Sequence, residues 1–381
     1  MKFRAERGEF ADAVLWSLRT VGDRVSLPAL SGVRLEVAED RLSLVSSDLQ
    51  LTSETSIPVH AERDGTALVP GKLFGDIIRQ LPPRTVEAEV DGDRLRIACG
   101  SASFVLRLLP LEDYPPPPEP ASDAASLTLP ASTFARLIGQ VARAASVDNP
   151  RAALTGVQLT AGDGVLKAAA TDSYRLAVGS MPWPHDSTVD ALVPRRALEE
   201  ARRTAEGGGD EVALTFETGQ FTVMTADRRL TTTLIDDTFP AYQALLPSGM
   251  QRLLVVNREE LAEVVRRAAV VGDANTVQTP VTLELSDGTV RVTAGSGEVG
   301  EADESLPGVL DGEDLTISFN PRYLGDGLES VRSNEVRLEF NDSTTPAVLR
   351  PVDEVDSDGT AGAADQADQG EFLYLLMPIR L

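Results

Sequence analysis

The strongest constraint on the fold of this chain is that it repeats itself. GVRLEV beginning at Gly32 returns as GVQLTA beginning at Gly156, an offset of 124 residues. Asp48 of SSDLQL and Asp172 of ATDSYRL are also 124 apart, as are Pro70 of LVPGKLF and Pro194 of LVPRRAL. DYP ending at Pro115 and TFP ending at Pro240 differ by 125. A fainter third copy follows, with Leu261 lying 127 beyond Phe134 and Asn320 lying 126 beyond Pro194. Distances inside the copies agree as well: Phe10 to Pro70 and Phe134 to Pro194 are both 60, and Leu261 to Asn320 is 59. A fixed period means one structural unit used in series. The expected division is therefore three domains over 1–120, 127–248 and 250–381.

Each copy reads in the same way. An early helix is marked in the second copy by Phe134, Leu137, Ile138 and Val141 at i, i+3, i+4 and i+7, with Ser132 as its expected cap. Alternating runs such as VRLEVAEDRLSLVSSD and LTLELSDGTVRVTAGS, bent at Gly and Asp, predict antiparallel strands. A second helix opens after Pro70, Pro194 or Asn320. The six helices are expected at 8–20, 71–81, 131–146, 194–206, 257–272 and 320–333. The fold class is α+β, with two helices laid on antiparallel sheet in each of three domains. LEDYPPPPEPASDAAS, residues 111–126, reads as a proline-stiffened linker, and the acidic stretch 352–370 as a disordered hairpin loop.

Composition removes several kinds of function. With 42% hydrophobic and 25% charged residues the chain has the balance of a soluble globular protein, and no apolar run is long enough to span a bilayer. The start MKFRAERGEF is charged where a signal peptide would be apolar, so a cytoplasmic location is expected. The single cysteine, Cys99, permits neither an internal disulfide nor a thiolate metal cluster. His60 and His185 lie far apart and outside any metal-ligand spacing, so neither metal nor cofactor is expected.

A net charge of −24 argues against a nucleic-acid partner until its distribution is considered. The six expected helices hold fourteen basic and eleven acidic side chains, a net of +3, which leaves −27 for everything else. Arg136, Gln140 and Arg143 fall on one helical face, and Arg195/Arg202 and Arg196/Arg203 repeat at seven. Such a surface can meet phosphates loosely without reading bases.

The six-residue stretch TDSYRL, 171–176, concentrates groups capable of catalysis. No histidine accompanies Ser173, no GxSxG elbow is present, and PGKL at 70–73 lacks the glycine spacing and the Ser or Thr of a phosphate loop. A strand end and turn, with no catalytic residues, is the better reading.

The residues resemble a family, the bacterial DNA polymerase III beta subunit or sliding clamp, along the whole chain. The resemblance is carried by the triplication, LPALSGVRLEV, ATDSYRLAV, LIDDTFPAYQALLP and the C-terminal YLLMPIRL. It implies a non-catalytic processivity subunit that forms a head-to-tail homodimeric ring around double-stranded DNA, sequence-independently, with helices lining the hole. DNA contacts would then come from Arg24, Lys72, Arg79, Arg136, Arg143, Arg195, Arg196, Arg202, Arg203, Arg266, Arg267 and Arg332. It also implies a cleft for short peptides of the polymerase III alpha subunit, the clamp loader and repair polymerases. The matching positions are Leu154, Thr171, Ser173, Tyr174, Arg175, Leu176, Pro240, Leu245, Leu375, Met377, Pro378, Ile379, Arg380 and Leu381, while Leu376 is expected in the core. Ala244, where many members have Arg, and Asp148 and Asn149, near the expected DNA path, depart from the pattern. They keep a second reading open: a specialised clamp-like scaffold that binds peptides without being the main replicative clamp.

Overall fold

The computed structural model describes residues 1–21, 27–116, 118, 126–247, 249–271, 279–286, 288–296, 300–352 and 372–380. Among the described residues six α-helices recur in pairs: α1 Arg7–Ser17, α2 Gly71–Gln80, α3 Ala131–Val141, α4 Arg195–Gly207, α5 Arg258–Ala268 and α6 Pro321–Ser330. The first helix of each pair is shorter than its apolar spacing predicts. Each relaxes into a 3-10 turn, at Leu18–Thr20, Ala142–Ala144 and Ala269–Val271, which tightens the last turn where carbonyls run out of partners.

Helix α3 begins at Ala131, so Ser132 stands inside the first turn and is not its cap. In the third repeat the caps are asparagines. Asn257 accepts the N–H groups of Glu259 and Glu260, and Asn320 those of Arg322 and Tyr323. A side-chain oxygen there satisfies donors that the helix itself leaves free.

The chain folds into two compact units. The first holds Met1–Ser132 and Glu200–Leu234. Its larger sheet runs in the order Leu127–Pro130, Glu211–Glu217, Gln220–Met224, Arg228–Thr233, Leu51–Pro58, Arg41–Ser47, Gly32–Ala38 and Gly65–Pro70. Arg228–Thr233 of the second repeat thus adds, antiparallel, to Leu51–Pro58 of the first, with Leu230 opposite Ser53. A five-stranded sheet ends on the edge strand Ala102–Arg107. Phe3, Phe10, Phe74, Ile78 and Leu95, all fully buried, fill the core of the first repeat. The supposed linker starts later than its prolines suggest, because Leu111–Asp113 is a 3-10 turn and Tyr114 is buried with Leu30 and Leu68.

The second unit holds Thr133–Glu199 and Ile235–Leu381. One twelve-stranded sheet crosses it, passing from Val165–Thr171 and Arg175–Pro182 to Phe372–Leu376, Ala347–Pro351, Glu335–Phe340, Arg252–Asn257, Gly300–Asp311 and beyond. Here Phe372–Leu376 of the third repeat adds to Arg175–Pro182 of the second, with Tyr374 opposite Ala177. The junction of the first unit is repeated, strand for strand. Helix partners repeat too: the Trp16 indole N–H donates to Thr204 Oγ1 at 3.3 Å in the first unit, and Gln140 Nε2 donates to the Ser330 carbonyl at 3.0 Å in the second.

Candidate functional site

TDSYRL proves to be a strand end and a tight turn. Asp172 Oδ1 accepts the backbone N–H groups of Tyr174 at 3.0 Å and Arg175 at 3.1 Å, while Thr171 Oγ1 donates to the Arg175 carbonyl at 2.6 Å. Ser173 takes the left-handed conformation at φ 79°. The equivalent turn of the first repeat is built identically: Asp48 Oδ1 accepts Gln50 N–H at 3.1 Å and Leu51 N–H at 2.8 Å, with Leu49 at φ 77°. A carboxylate that holds two backbone donors in both copies is a turn-former, as the repeat predicts.

Around this turn several of the expected cleft residues converge. Leu176 pairs in register with Leu375, Arg175 with Leu376, and the Met377 N–H donates to the Tyr174 carbonyl at 2.9 Å. Ile379 N–H continues to the Ser318 carbonyl at 2.7 Å, so the segment is anchored at Met377 and at Ile379. Leu154, Leu176 and Leu375 are buried, and Leu376 is in the core. Tyr174 and Met377 remain exposed, at 62% and 38%. Thr171, Pro240, Pro378 and Ile379 are half-buried, whereas Ser173 and Arg380 are exposed. The segments that carry Leu154 and Pro240 are tied at neighbouring residues, where Asp237 Oδ2 accepts the Ala153 N–H at 3.0 Å. That bond, with one from Thr238, holds the Asp237 carboxyl below its usual range. The backbone at Leu245 belongs to the 3-10 turn Tyr242–Leu245, and Leu381 lies outside the described residues.

Arg175 departs from the expectation. It does not line an open surface; its side chain is only 4% exposed and turns inward. Its Nε donates to Asp172 Oδ2 at 2.9 Å, its Nη1 to the Asp326 carboxylate and, at 3.3 Å, to the Tyr374 hydroxyl. Burial alone would make the guanidinium easier to deprotonate, but the facing carboxylates and Tyr374 outweigh that and raise its pKa further. Its guanidinium carbon lies 4.4 Å from the centroid of the Tyr323 ring. Tyr323 also stacks on Tyr174, centroids 6.3 Å apart and planes 25° from parallel. Sequence reasoning missed Tyr323. Its signal was an aromatic on α6 where the other two repeats carry Leu73 and Ala197.

The helix cations are less free than their count suggests. Arg143 pairs with Glu329, Arg202 with Glu206, and Arg203 with Glu200, which also lies 3.7 Å from Arg19. Arg267 bridges Glu263 and Glu304. Arg195 bonds Glu199 and donates to the Ala145 carbonyl at 2.7 Å, leaving its side chain 19% exposed. Gln140, predicted on a solvent face with Arg136 and Arg143, instead bonds Ser330. Arg136 and Arg196 are engaged as well. Arg79 pairs with Asp76, and Arg266 lies 4.0 Å from Glu263, both exposed. Lys72 and Arg332 are exposed, and Arg24 lies outside the described residues. The groove between α5 and α6 is lined by Arg258, Arg266 and Arg322 together with Glu259, Glu263, Asp326 and Glu329, three basic side chains against four acidic ones.

Among the described residues no cluster of His, Cys, Asp or Glu could hold a metal ion, and no helix is long and apolar enough to cross a membrane.

Three copies of a two-helix, antiparallel-sheet unit, joined strand to strand at repeated junctions, define a protein of the clamp class. Models of the N-terminal, central and C-terminal domains of the DNA polymerase III beta subunit match residues 1–118, 128–241 and 243–361. The chain is 37% identical to the beta sliding clamp of Streptomyces coelicolor and 31% identical to the beta sliding clamp homolog GriR of Streptomyces muensis. The first match covers all of both chains, the second all of this chain and 99% of GriR. Among solved structures, the Pseudomonas aeruginosa sliding clamp bound to griselimycin superposes with a TM-score of 0.87 at 28% identity, over 100% of each chain. The chain belongs to the DNA polymerase III beta subunit family, and its function is that of a sliding clamp.

Proposed function

We propose that two copies of this chain close head to tail into a ring around duplex DNA and carry replication proteins by short peptide segments. The observation that carries this reading is the incomplete third junction. In the first two junctions, the last strand of one repeat completes the middle strand of the repeat before it. By the same rule, Ala102–Arg107 of the first repeat needs a strand from the third. Its partner would be Gly300–Pro307, which among the described residues pairs only on the Gly288–Ser296 side. An unpaired edge is a template for another chain. The two edges are complementary: Arg94, Arg96 and Arg107 stand on or beside one, Glu301 and Asp303 on the other. Val105 is 52% exposed on the first, and Val270 is 82% exposed just past α5. A heterologous contact that closes after two copies gives a ring and not a filament.

Duplex DNA would be held by topology, with Lys72, Arg79, Arg266, Arg332 and the paired helix arginines making weak, salt-dependent phosphate contacts that allow sliding. The turn Thr171–Leu176 together with Leu375–Arg380 would be the docking groove, Met377 adapting to different anchors. Tethering raises a polymerase's effective concentration at the primer end without chemistry by the clamp itself. The test is retention on nicked circular DNA after loading by a clamp loader. Clamp action predicts that protein survives a salt wash and is lost once the circle is linearised; equal loss from both forms would overturn it.

A further inference from the structure

We infer that Arg175 is a positioning residue for the peptide groove, acting through Tyr323 and not by touching the partner. The inference rests on the reading of that groove as the docking site. Three contacts fix Tyr323. The Arg175 guanidinium lies over its ring, Tyr174 stacks on it, and its carbonyl accepts the Tyr374 hydroxyl at 2.9 Å. Tyr374 can approach α6 so closely because Gly327 stands there: a Cβ at that position would come within 2.7 Å of the tyrosine ring. Arg175 reaches all the parts, with Asp172 in the turn, Asp326 on α6, and Tyr374 on the last strand. Its planar fork can serve two carboxylates and a ring at once, which an ammonium cannot.

The comparison between repeats separates this from ordinary packing. The first unit has the same turn, the same strand addition and a helix-to-helix bond at the equivalent positions, Trp16 and Thr204. Yet the equivalents of Arg175, Tyr323 and Tyr374 there are Leu51, Ala197 and Leu230, and the equivalent of Asp326, Glu200, turns to Arg203 and Arg19. A junction of this kind therefore closes without an arginine at this position; the first uses Arg228 of the added strand instead, paired with Asp12 and lying 5.5 Å from the centroid of the Trp16 ring. What the second junction gains is an ordered aromatic wall beside the exposed Tyr174 and Met377, so the ordering cost is met before a ligand arrives.

The experiment uses the full chain and a fluorescein-labelled pentapeptide Ser-Leu-Ala-Leu-Phe, a probe whose apolar and aromatic side chains suit the exposed Tyr174 and Met377, with affinity read by anisotropy and folding by melting temperature. Arg175→Lys is expected to weaken binding about tenfold while the protein stays folded. Asp326→Asn, which frees α6 from the arginine but leaves the Asp172 pair, should weaken it severalfold and guards against misfolding of the first variant. Tyr323→Ala should weaken binding about as much as Arg175→Lys. Combined with Tyr323→Ala, Arg175→Lys should cost nothing further, because both changes remove one wall. Additive losses, or parental affinity in both Arg175→Lys and Asp326→Asn, would overturn the positioning role. Should Tyr174→Ala, Tyr323→Ala and Met377→Ala all bind like the parent, the groove itself has been misassigned.

Discussion

Leu49 and Ser173 hold one backbone conformation 124 residues apart, φ 77° and 79°, each just after the aspartate that ties its turn. Neither is a glycine, and the left-handed region costs an L-residue roughly 1–2 kcal/mol. Replacing either by glycine should therefore raise stability by up to about 1 kcal/mol, the greater freedom of glycine in the unfolded chain taking back part of the gain. Chemical denaturation of Leu49→Gly and Ser173→Gly would check this, and a loss of stability in both would contradict it.

Trp16 is buried, and its indole N–H meets Thr204 Oγ1. Trp16→Ala should cost about 3–5 kcal/mol through the cavity it leaves. Thr204→Val, which removes the hydroxyl that accepts from Trp16 and donates to the Glu200 carbonyl at 2.8 Å, should cost about 1–2 kcal/mol. Urea midpoints of the two variants should rank in that order.

Burial pushes the Tyr114 hydroxyl up to about 12. In the unfolded chain the group ionises near 10, so its contribution to stability is intact below that value and declines as pH rises toward 12. Tyr114→Phe should then show a shallower loss of stability than the parent between those limits, with a difference of order 2 kcal/mol at the upper end. Parallel slopes for the two proteins would remove Tyr114 from the account.

Arg107 and Val105 stand on the open edge Ala102–Arg107, at 86% and 52% exposure. Arg107→Glu together with Val105→Asp should convert the expected dimer to monomer at micromolar concentration, as read by analytical ultracentrifugation, with little change in each chain's melting. A variant that sediments like the parent would move the closing contact elsewhere. The parent's dimer should weaken with salt, because the attraction between these edges lies near solvent.

Much of this was legible in the residues. The offset of 124 predicted not only the domains' shared plan but the identical work of Asp48 and Asp172. Helix ends were less legible, since a 3-10 turn continues the same apolar spacing. Direction was least legible. Arg175 was expected to line the cleft; it shares a strand face with Ala177 and Gly179, both buried, and the partners that hold its charge inside, Asp326 and Tyr374, are distant in sequence. The link from Asp237 to Ala153 is likewise a tertiary bond with no local signature.

The strand addition of Phe372–Leu376 to Arg175–Pro182 has a consequence for how the chain comes into being. During synthesis the second repeat is finished long before its sheet is, because the strand that covers its edge is the last strand of the third repeat. Until then a run of backbone donors and acceptors stays open beside Leu176 and Val178, and closing it requires a contact of long sequence separation, which is slow to form. The surface proposed to receive partners is thus the last part of the second repeat to be assembled. A nascent or truncated chain would offer in its place a raw sheet edge, the kind of surface chaperones meet first.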